Sequence, residues 1–487
     1  MRVLIAGAGI IGVLTAWELR RRGVAVTLID PTPAQGATRA AAGMLAPVSE
    51  VQYGQEALYP LMLASAAQYP RLVAELTQAT PEPLGYRQTQ TIVVGVDQSD
   101  REALANLHQV QLRFGMDIDE ISVAAARRLE SALAPRLAGA FLIPGDHQVD
   151  PRQLASAALD AVCRPGTADG PPAQLIGQRV RRLLIEGAPP RVTGAVTDDG
   201  TRWSADVVVL ASGVDATRVE GLPPHLRVPL RPVYGDIVRL RTPARLLLPG
   251  ESTLFTSTLR AQVHGQPVYL VPRDDGGIVI GATSREDDLD APSTGGTFRL
   301  LRDASAVVPA ILETELVEVM ARARPGTPDD LPVIGTDPEL PGVVLSSGYF
   351  RHGVLLAPLG ARLTADLVTG SPARDAAEAS YRAATAPERF SASAQPATKP
   401  TDEAQGASMI TLHLNGEEST LPDNATVCDA VAQLTGREVG ADGRSADGGS
   451  LGVAVAVDGS VVPRSQWAAT RLATGHVVEV VTAVQGG

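Results

Sequence analysis

The sequence predicts a Rossmann-like α/β domain interleaved with an α+β domain on an antiparallel sheet, followed by a separate small domain. Three observations carry this. A βαβ pattern with a glycine-rich turn opens the chain. Strands and helices then alternate without a clean period, as when two domains are interleaved. A stretch lacking large apolar residues, 391–408, separates all of this from a second, alternating pattern.

The opening is the clearest element. Val3–Ala6 reads as a short buried strand, Ile10–Arg22 as a helix closed by Gly23, and Val24–Ile29 as a second strand ended by Asp30 and Pro31. Gly7, Gly9 and Gly12 lie between the first strand and the helix. In that order the first glycine makes the tight turn, the second admits a pyrophosphate to the backbone, and the third lets helix and strand pack closely. Ile10 and Ile11 begin a helix whose N-terminus offers free N–H groups and a positive dipole end. Asp30, 18 residues beyond Gly12, is placed to accept hydrogen bonds from ribose hydroxyls. Together these imply a bound dinucleotide, NAD or FAD left open.

Farther along, Val207–Leu210 reads as a buried strand leading into Ala211-Ser212-Gly213, a turn suited to a further cofactor contact. Ile278–Gly281 and Val343–Ser346 read as strands. Helices are predicted over 57–79, 100–114, 123–132, 151–163, 303–321 and 356–368. From Met409 apolar residues alternate, and Asn415-Gly416 marks a hairpin.

Bulk properties exclude several classes. The net charge of −12 disfavours nucleic acid and anionic lipid as partners. Two cysteines, Cys163 and Cys428, exclude a disulfide framework or a cysteine-rich zinc site, and no metal is expected; they fit a reducing cytoplasm. The only lysine is Lys399, so the first 398 residues cannot form a pyridoxal-phosphate Schiff base. Residues 2–17 have glycine spacing foreign to a signal peptide, and no apolar run reaches the roughly 20 residues needed to cross a bilayer.

The segment Ala37-Thr38-Arg39-Ala40-Ala41-Ala42-Gly43-Met44-Leu45 has small residues that let a cofactor pass close to the backbone. Tyr269-Leu270-Val271-Pro272-Arg273, Ala323-Arg324-Pro325-Gly326-Thr327-Pro328-Asp329 and Gly348-Tyr349-Phe350-Arg351-His352-Gly353-Val354-Leu355 follow. On these motifs, roughly residues 1–390 resemble the D-amino-acid oxidase superfamily and, within it, the glycine oxidase of thiamine biosynthesis, the ThiO family.

The resemblance implies non-covalent FAD. Pro31, Ala37, Thr38, Ala42, Gly43 and Met44 would follow the flavin. Gly348, Tyr349, Phe350, His352, Gly353, Val354 and Leu355 would approach its ring from the C-terminal side. Val180 would meet the adenine side. Arg324 would clamp the substrate carboxylate, Arg351 would line the same pocket, and Tyr269 would donate its hydroxyl to that carboxylate; a planar guanidinium suits the task because it offers two parallel hydrogen bonds. No dedicated base is required, and His264 and His352 are not assigned as one. The implied reaction is oxidation of glycine by oxygen to imine and glyoxylate, with ammonia and hydrogen peroxide. A broader D-amino acid or sarcosine oxidase remains the alternative. The resemblance divides this part into FAD segments, about 1–85, 140–225 and 325–370, and substrate segments, about 86–139 and 226–324.

Residues 409–487 resemble the sulfur carrier of thiamine biosynthesis, the ThiS family, a β-grasp fold like ubiquitin. The match includes Val453–Gly459, Val462–Trp467 and the end at Gly486-Gly487, and departs in a polar, glycine-rich insertion at 436–450. Two residues without a β-carbon give a slim tail that can enter a narrow active site. The resemblance implies an adenylating, ThiF-like sulfurtransferase that converts Gly487 to a thiocarboxylate, and a ThiG-like thiazole synthase that takes the sulfur. It is compatible with a homo-oligomer.

Overall fold

A computed structural model describes residues 1–287, 289–394, 409–435, 439–440 and 453–482. Most of the 391–408 linker, most of the 436–450 insertion and Gly486-Gly487 lie outside the described residues. The chain divides into two compact units, Met1–Gln395 and Pro396–Gly487.

The first unit is built on two large sheets. A six-stranded sheet runs in the order 333–336, 343–347, 207–210, 2–6, 25–29, 174–176. It is parallel except for its antiparallel edge strand Val333–Thr336. The central strand Arg2–Ala6 pairs on both sides and from Val3 to Ala6 is apolar and buried throughout, as expected for a strand covered on both faces. Helix Ile10–Arg20 packs on one face with Ala357–Thr369 and Pro151–Cys163, where Leu14, Trp17 and Leu363 are buried.

An eight-stranded sheet runs 315–326, 231–241, 277–281, 266–272, 258–263, 91–95, 139–143, 119–121. Its pairs are antiparallel except 258–263 with 91–95. The α/β and α+β parts are thus interleaved along the chain. Strand Gly139–Ile143 pairs in this second sheet, so the expected boundary near 140 falls inside one of its strands.

Two helix expectations fail, both at prolines. The region 303–321 is not one helix. A helix covers Thr294–Val307, a 3-10 turn covers Pro309–Glu313, and a strand covers Glu315–Gly326. Pro309 disfavours helical geometry at Val308, which is extended, and Leu316 and Val319 then join a ladder with 231–241, with a register shift at Val317. The region 57–79 breaks into Tyr59–Ala66 and Tyr69–Ala79, each with a proline in its first turn.

The second unit is a five-stranded mixed sheet, order 417–422, 409–414, 477–482, 453–457, 460–462, with helix Val427–Thr435. Met409–Leu414 and Val477–Thr482 pair in parallel at the centre, and hairpins flank them, which is the β-grasp arrangement. Asn415 and Gly416 take positive φ, 53° and 84°, as the predicted tight hairpin requires. The Asn415 side chain also bridges to the backbone of Val480, at 3.0 and 2.6 Å. Trp467, 1% exposed, fills the core beside Leu412, Val427 and Val478. Among the described residues, no helix is long and apolar enough to cross a membrane.

Candidate functional site

A cavity of about 1110 Å³ runs through the first unit, from the glycine turn to the antiparallel sheet. At one end Gly7 holds φ +104°, and a β-carbon there would strike the backbone of Ala211. A β-carbon on Gly12 would strike the carbonyl of Gly7, so this glycine lets the helix start against the strand. Helix Ile10–Arg20 begins at Gly9 without a side-chain cap of its own; the Thr38 hydroxyl takes the Ile10 N–H at 3.1 Å. Asp30 accepts from the N–H groups of Ala8, 2.7 Å, and Thr32, 2.8 Å, and so fixes the turn on both sides.

The wall continues through Pro31, Ala37, Thr38, Ala42, Gly43 and Met44. The carbonyls of this loop are gripped by arginines. Arg39 O accepts from Arg152, 3.0 Å, and Arg239, 3.2 Å, and Ala42 O accepts from Arg273, 2.5 Å. Burial, with the neighbouring Arg152, pushes Arg239 down to about 10, still a cation at neutral pH.

Strand register builds the other end. Arg260, Tyr269, Gly281, Ile237 and Met320 stand opposite one another across five strands. Opposed residues share a face, and Arg324 follows Met320 by four positions on a strand of period two, so Arg260, Tyr269 and Arg324 face the same way. Room for them comes from two glycines. A β-carbon on Gly281 would overlap the Tyr269 hydroxyl, and one on Gly235 would overlap the Arg324 guanidinium. Arg324 donates to Thr283 O at 3.2 Å, and the Tyr269 hydroxyl lies close enough to act on its charge. Both side chains keep surface only in part and line the cavity. Burial raises the Tyr269 hydroxyl, with Arg324 opposing, so it stays protonated and able to donate. Burial lowers Arg324, and Tyr269 opposes this; its guanidinium remains charged.

Glu50 and Arg260 complete this end, and no sequence pattern pointed to either. Both line the cavity and are ion-paired. Burial alone would raise Glu50, but Arg260, then His352, then Arg351 hold it well below the usual carboxylate range. His352 Nδ1 stands 3.3 Å from Glu50 Oε2.

Of the expected site residues, Ile10, Ile11, Val180, Tyr349, Phe350, Arg351, Gly353, Val354 and Leu355 also line the cavity, as do Ala211, Ser212 and Gly213. Three do not. Gly12 packs under the turn. Gly348, at φ +74°, packs against Thr327. His352 is 2% exposed and lies behind Glu50, since a residue in the Phe350–His352 turn that points inward meets protein. Gly487 lies outside the described residues. Gly281 was legible only as the end of a strand and Gly235 carried no signal, because their role depends on cross-strand register.

Asp146 sits under the loop that carries Glu50, accepting from Val48 N at 3.2 Å and Ser49 N at 3.0 Å. Burial raises its carboxyl to about 6. The folded chain then keeps a proton that the unfolded chain releases near pH 4, so this group's contribution to stability falls as pH rises from about 4 through about 6. Asp146→Asn should flatten the decline in unfolding temperature across that window; an unchanged pH profile would contradict the assignment. Asp97, Asp100 and His264 form the only group among the described residues with metal-ligand spacing. Their bonds are structural: Asp97 caps helix Gln98–Arg113, and Asp100 accepts from His264 N and Gly265 N.

The cavity fits FAD. It is of dinucleotide size, the glycine turn and helix N-terminus lie at one end, and a polar pocket with a half-buried arginine lies at the other.

Residues 2–367 match the family described as FAD dependent oxidoreductase, and residues 410–487 match the ThiS family. The chain is 33% identical over 370 residues to a glycine oxidase of Geobacillus kaustophilus, covering 75% of this chain and 92% of the relative. It is 33% identical over 374 residues to a bifunctional protein ThiO/ThiG of Synechocystis, covering 75% of this chain and 51% of the relative. Among solved structures, the glycine oxidase of Geobacillus kaustophilus superposes with a TM-score of 0.67 at 32% identity, over 77% of this chain and 96% of that one. An iminodiacetate oxidase from Chelativorans superposes with a TM-score of 0.66 at 27% identity, over 77% of this chain and 97% of that one.

Proposed function

This chain belongs to the FAD dependent oxidoreductase family and is an FAD-dependent amino acid oxidase with a ThiS family domain behind it; from that premise we propose that it oxidises glycine and carries sulfur for the same thiazole-forming pathway. The observation that carries the oxidase half is the Arg324–Tyr269 pair at the end of a cavity that begins at a dinucleotide turn. The Ile10–Arg20 helix N-terminus would hold the pyrophosphate and Asp30 the ribose, while Gly353, Val354 and Leu355 would back the ring. Bound FAD supplies the two-electron acceptor chemistry. The wall contains no cysteine among the described residues, which supports non-covalent binding.

Arg324 would grip the glycine carboxylate with its two-pronged donor edge, with Arg351 at the same pocket. Tyr269 would donate its hydroxyl to that carboxylate. So held, the substrate Cα–H bond has one orientation to the ring. The Cα hydrogen leaves with its electron pair, the amine nitrogen takes up the positive charge, and water then splits the imine. Glycine, oxygen and water thus become glyoxylate, ammonia and hydrogen peroxide. Anaerobic glycine should bleach the bound flavin's visible absorbance; unaltered absorbance would oppose the reading.

For the second unit, the ThiS match through residue 487 supports a carrier role. An adenylating, ThiF-like partner would activate the Gly487 carboxylate, and a ThiG-like synthase would consume both the carried sulfur and the oxidase's imine. A fused ThiO/ThiG relative supports placing these activities together. One chain bearing two such modules raises their effective concentration at a shared partner. Two cysteines in 487 residues suit a cytoplasmic location. Incubation with an adenylating enzyme, ATP and a sulfur donor should exchange one oxygen for sulfur, raising the intact mass by about 16 Da; an unchanged mass would contradict the carrier role.

A further inference from the structure

We propose that Glu50 is a specificity-determining residue that restricts the substrate to a single carboxylate. The inference rests on the amino acid oxidase reading of the cavity. Four charged groups line the cavity with Tyr269: Arg324, Glu50, Arg351 and Arg260. Arg324 and Arg351 serve the substrate carboxylate in that reading. Arg260 is the third cation at this end, and Glu50 occupies it. A second carboxylate on a substrate would therefore meet a cation already paired, beside a carboxylate of like charge.

The position of Glu50 is built. Its residue is 7% exposed. The backbone of the two preceding residues is pinned by Asp146, and Val48 O accepts from Gln111 at 2.9 Å. His352 closes the far side of the carboxylate at 3.3 Å. Arg260 in turn stands beside Tyr269 in the strand register, so a freed Arg260 would sit next to the substrate rather than at a distance. Rejection by an unfavourable like charge, with the attractive cation withheld, is specificity by exclusion.

The probe is iminodiacetate, which adds one carboxylate to glycine's amine and acid. In Glu50→Gln, the ratio of kcat/KM for iminodiacetate to that for glycine should rise about tenfold or more over wild type. Glu50→Asp keeps the charge and should stay near the wild-type ratio. Glu50→Gln/Arg260→Gln should lose the gain, because the freed cation is gone. A purely structural role would lower both substrates together and leave the ratio unchanged, and that result would overturn the proposal. Binding is read separately from turnover, as the thermal upshift given by malonate relative to acetate on the FAD-loaded proteins. The malonate upshift should grow only in Glu50→Gln; equal upshifts in wild type and variant would also overturn it. If wild type turns over no glycine, the functional reading fails, and the malonate comparison still decides the role of Glu50. Should Glu50→Gln not retain FAD, Arg260→Gln gives the reciprocal test. It leaves Glu50 unpaired on the wall and should lower the malonate upshift below wild type; an equal upshift would overturn the proposal.

Discussion

Replacing Arg324 by alanine should lower kcat/KM for glycine by about 10²–10³-fold, mostly through KM, with FAD still bound. The expectation follows from the geometry of the group lost. Glycine has no side chain, so its carboxylate is the principal handle that the cavity can hold. In the proposed reading Arg324 would offer that handle two parallel donors from a half-buried position beside Tyr269. Removing one partner of a shielded, hydrogen-bonded charge pair costs about 2–5 kcal/mol, and each 1.36 kcal/mol is about tenfold in rate. Arg324→Lys should recover only part, since a lysine ammonium is a point charge without the planar fork. Arg324 is remote from the glycine turn in the sheet that it occupies, so flavin content should not follow activity. Kinetics like wild type would remove Arg324 from the site.

Replacing Gly235 by alanine should lower kcat/KM for glycine about 10²-fold while every charge in the cavity stays in place. The added methyl group would overlap the Arg324 guanidinium. That guanidinium is the far end of a flexible side chain, so it can swing aside, and the fold should survive. What is lost is position, and a displacement of about 1 Å at a substrate-orienting group costs on the order of 10²-fold. Arg324→Ala removes the charge, whereas Gly235→Ala only misplaces it. Steady-state kinetics with matched FAD content checks this. An alanine variant with the wild-type KM would mean that Arg324 does not hold glycine from the position it occupies here.

The parts of this protein that were legible in its sequence are those fixed by neighbours along the chain. The turn at Gly7, Gly9 and Gly12, with Asp30 one strand later, is local, and so is the Asn415-Gly416 hairpin. Arg324 and Tyr269 could be named through resemblance to a family, but their meeting could not be read from spacing 55 residues apart (324 minus 269). The strand register that runs from Tyr269 through Gly281 and Ile237 to Met320, on the strand of Arg324, brings them together. For the same reason Glu50, Arg260, Gly235 and Gly281 carried no signal: each matters through a contact across strands or from a loop. The misread helix over 303–321 is the reverse case. The predicted helix ran past Pro309, but the proline and the pairing partner at 231–241 decided the structure.

The most direct test of the account is product formation by the full chain loaded with FAD and given glycine in air. The account predicts hydrogen peroxide and glyoxylate in equal amounts, each matching the glycine consumed. FAD-loaded protein that releases no more peroxide with glycine than without it would contradict the account.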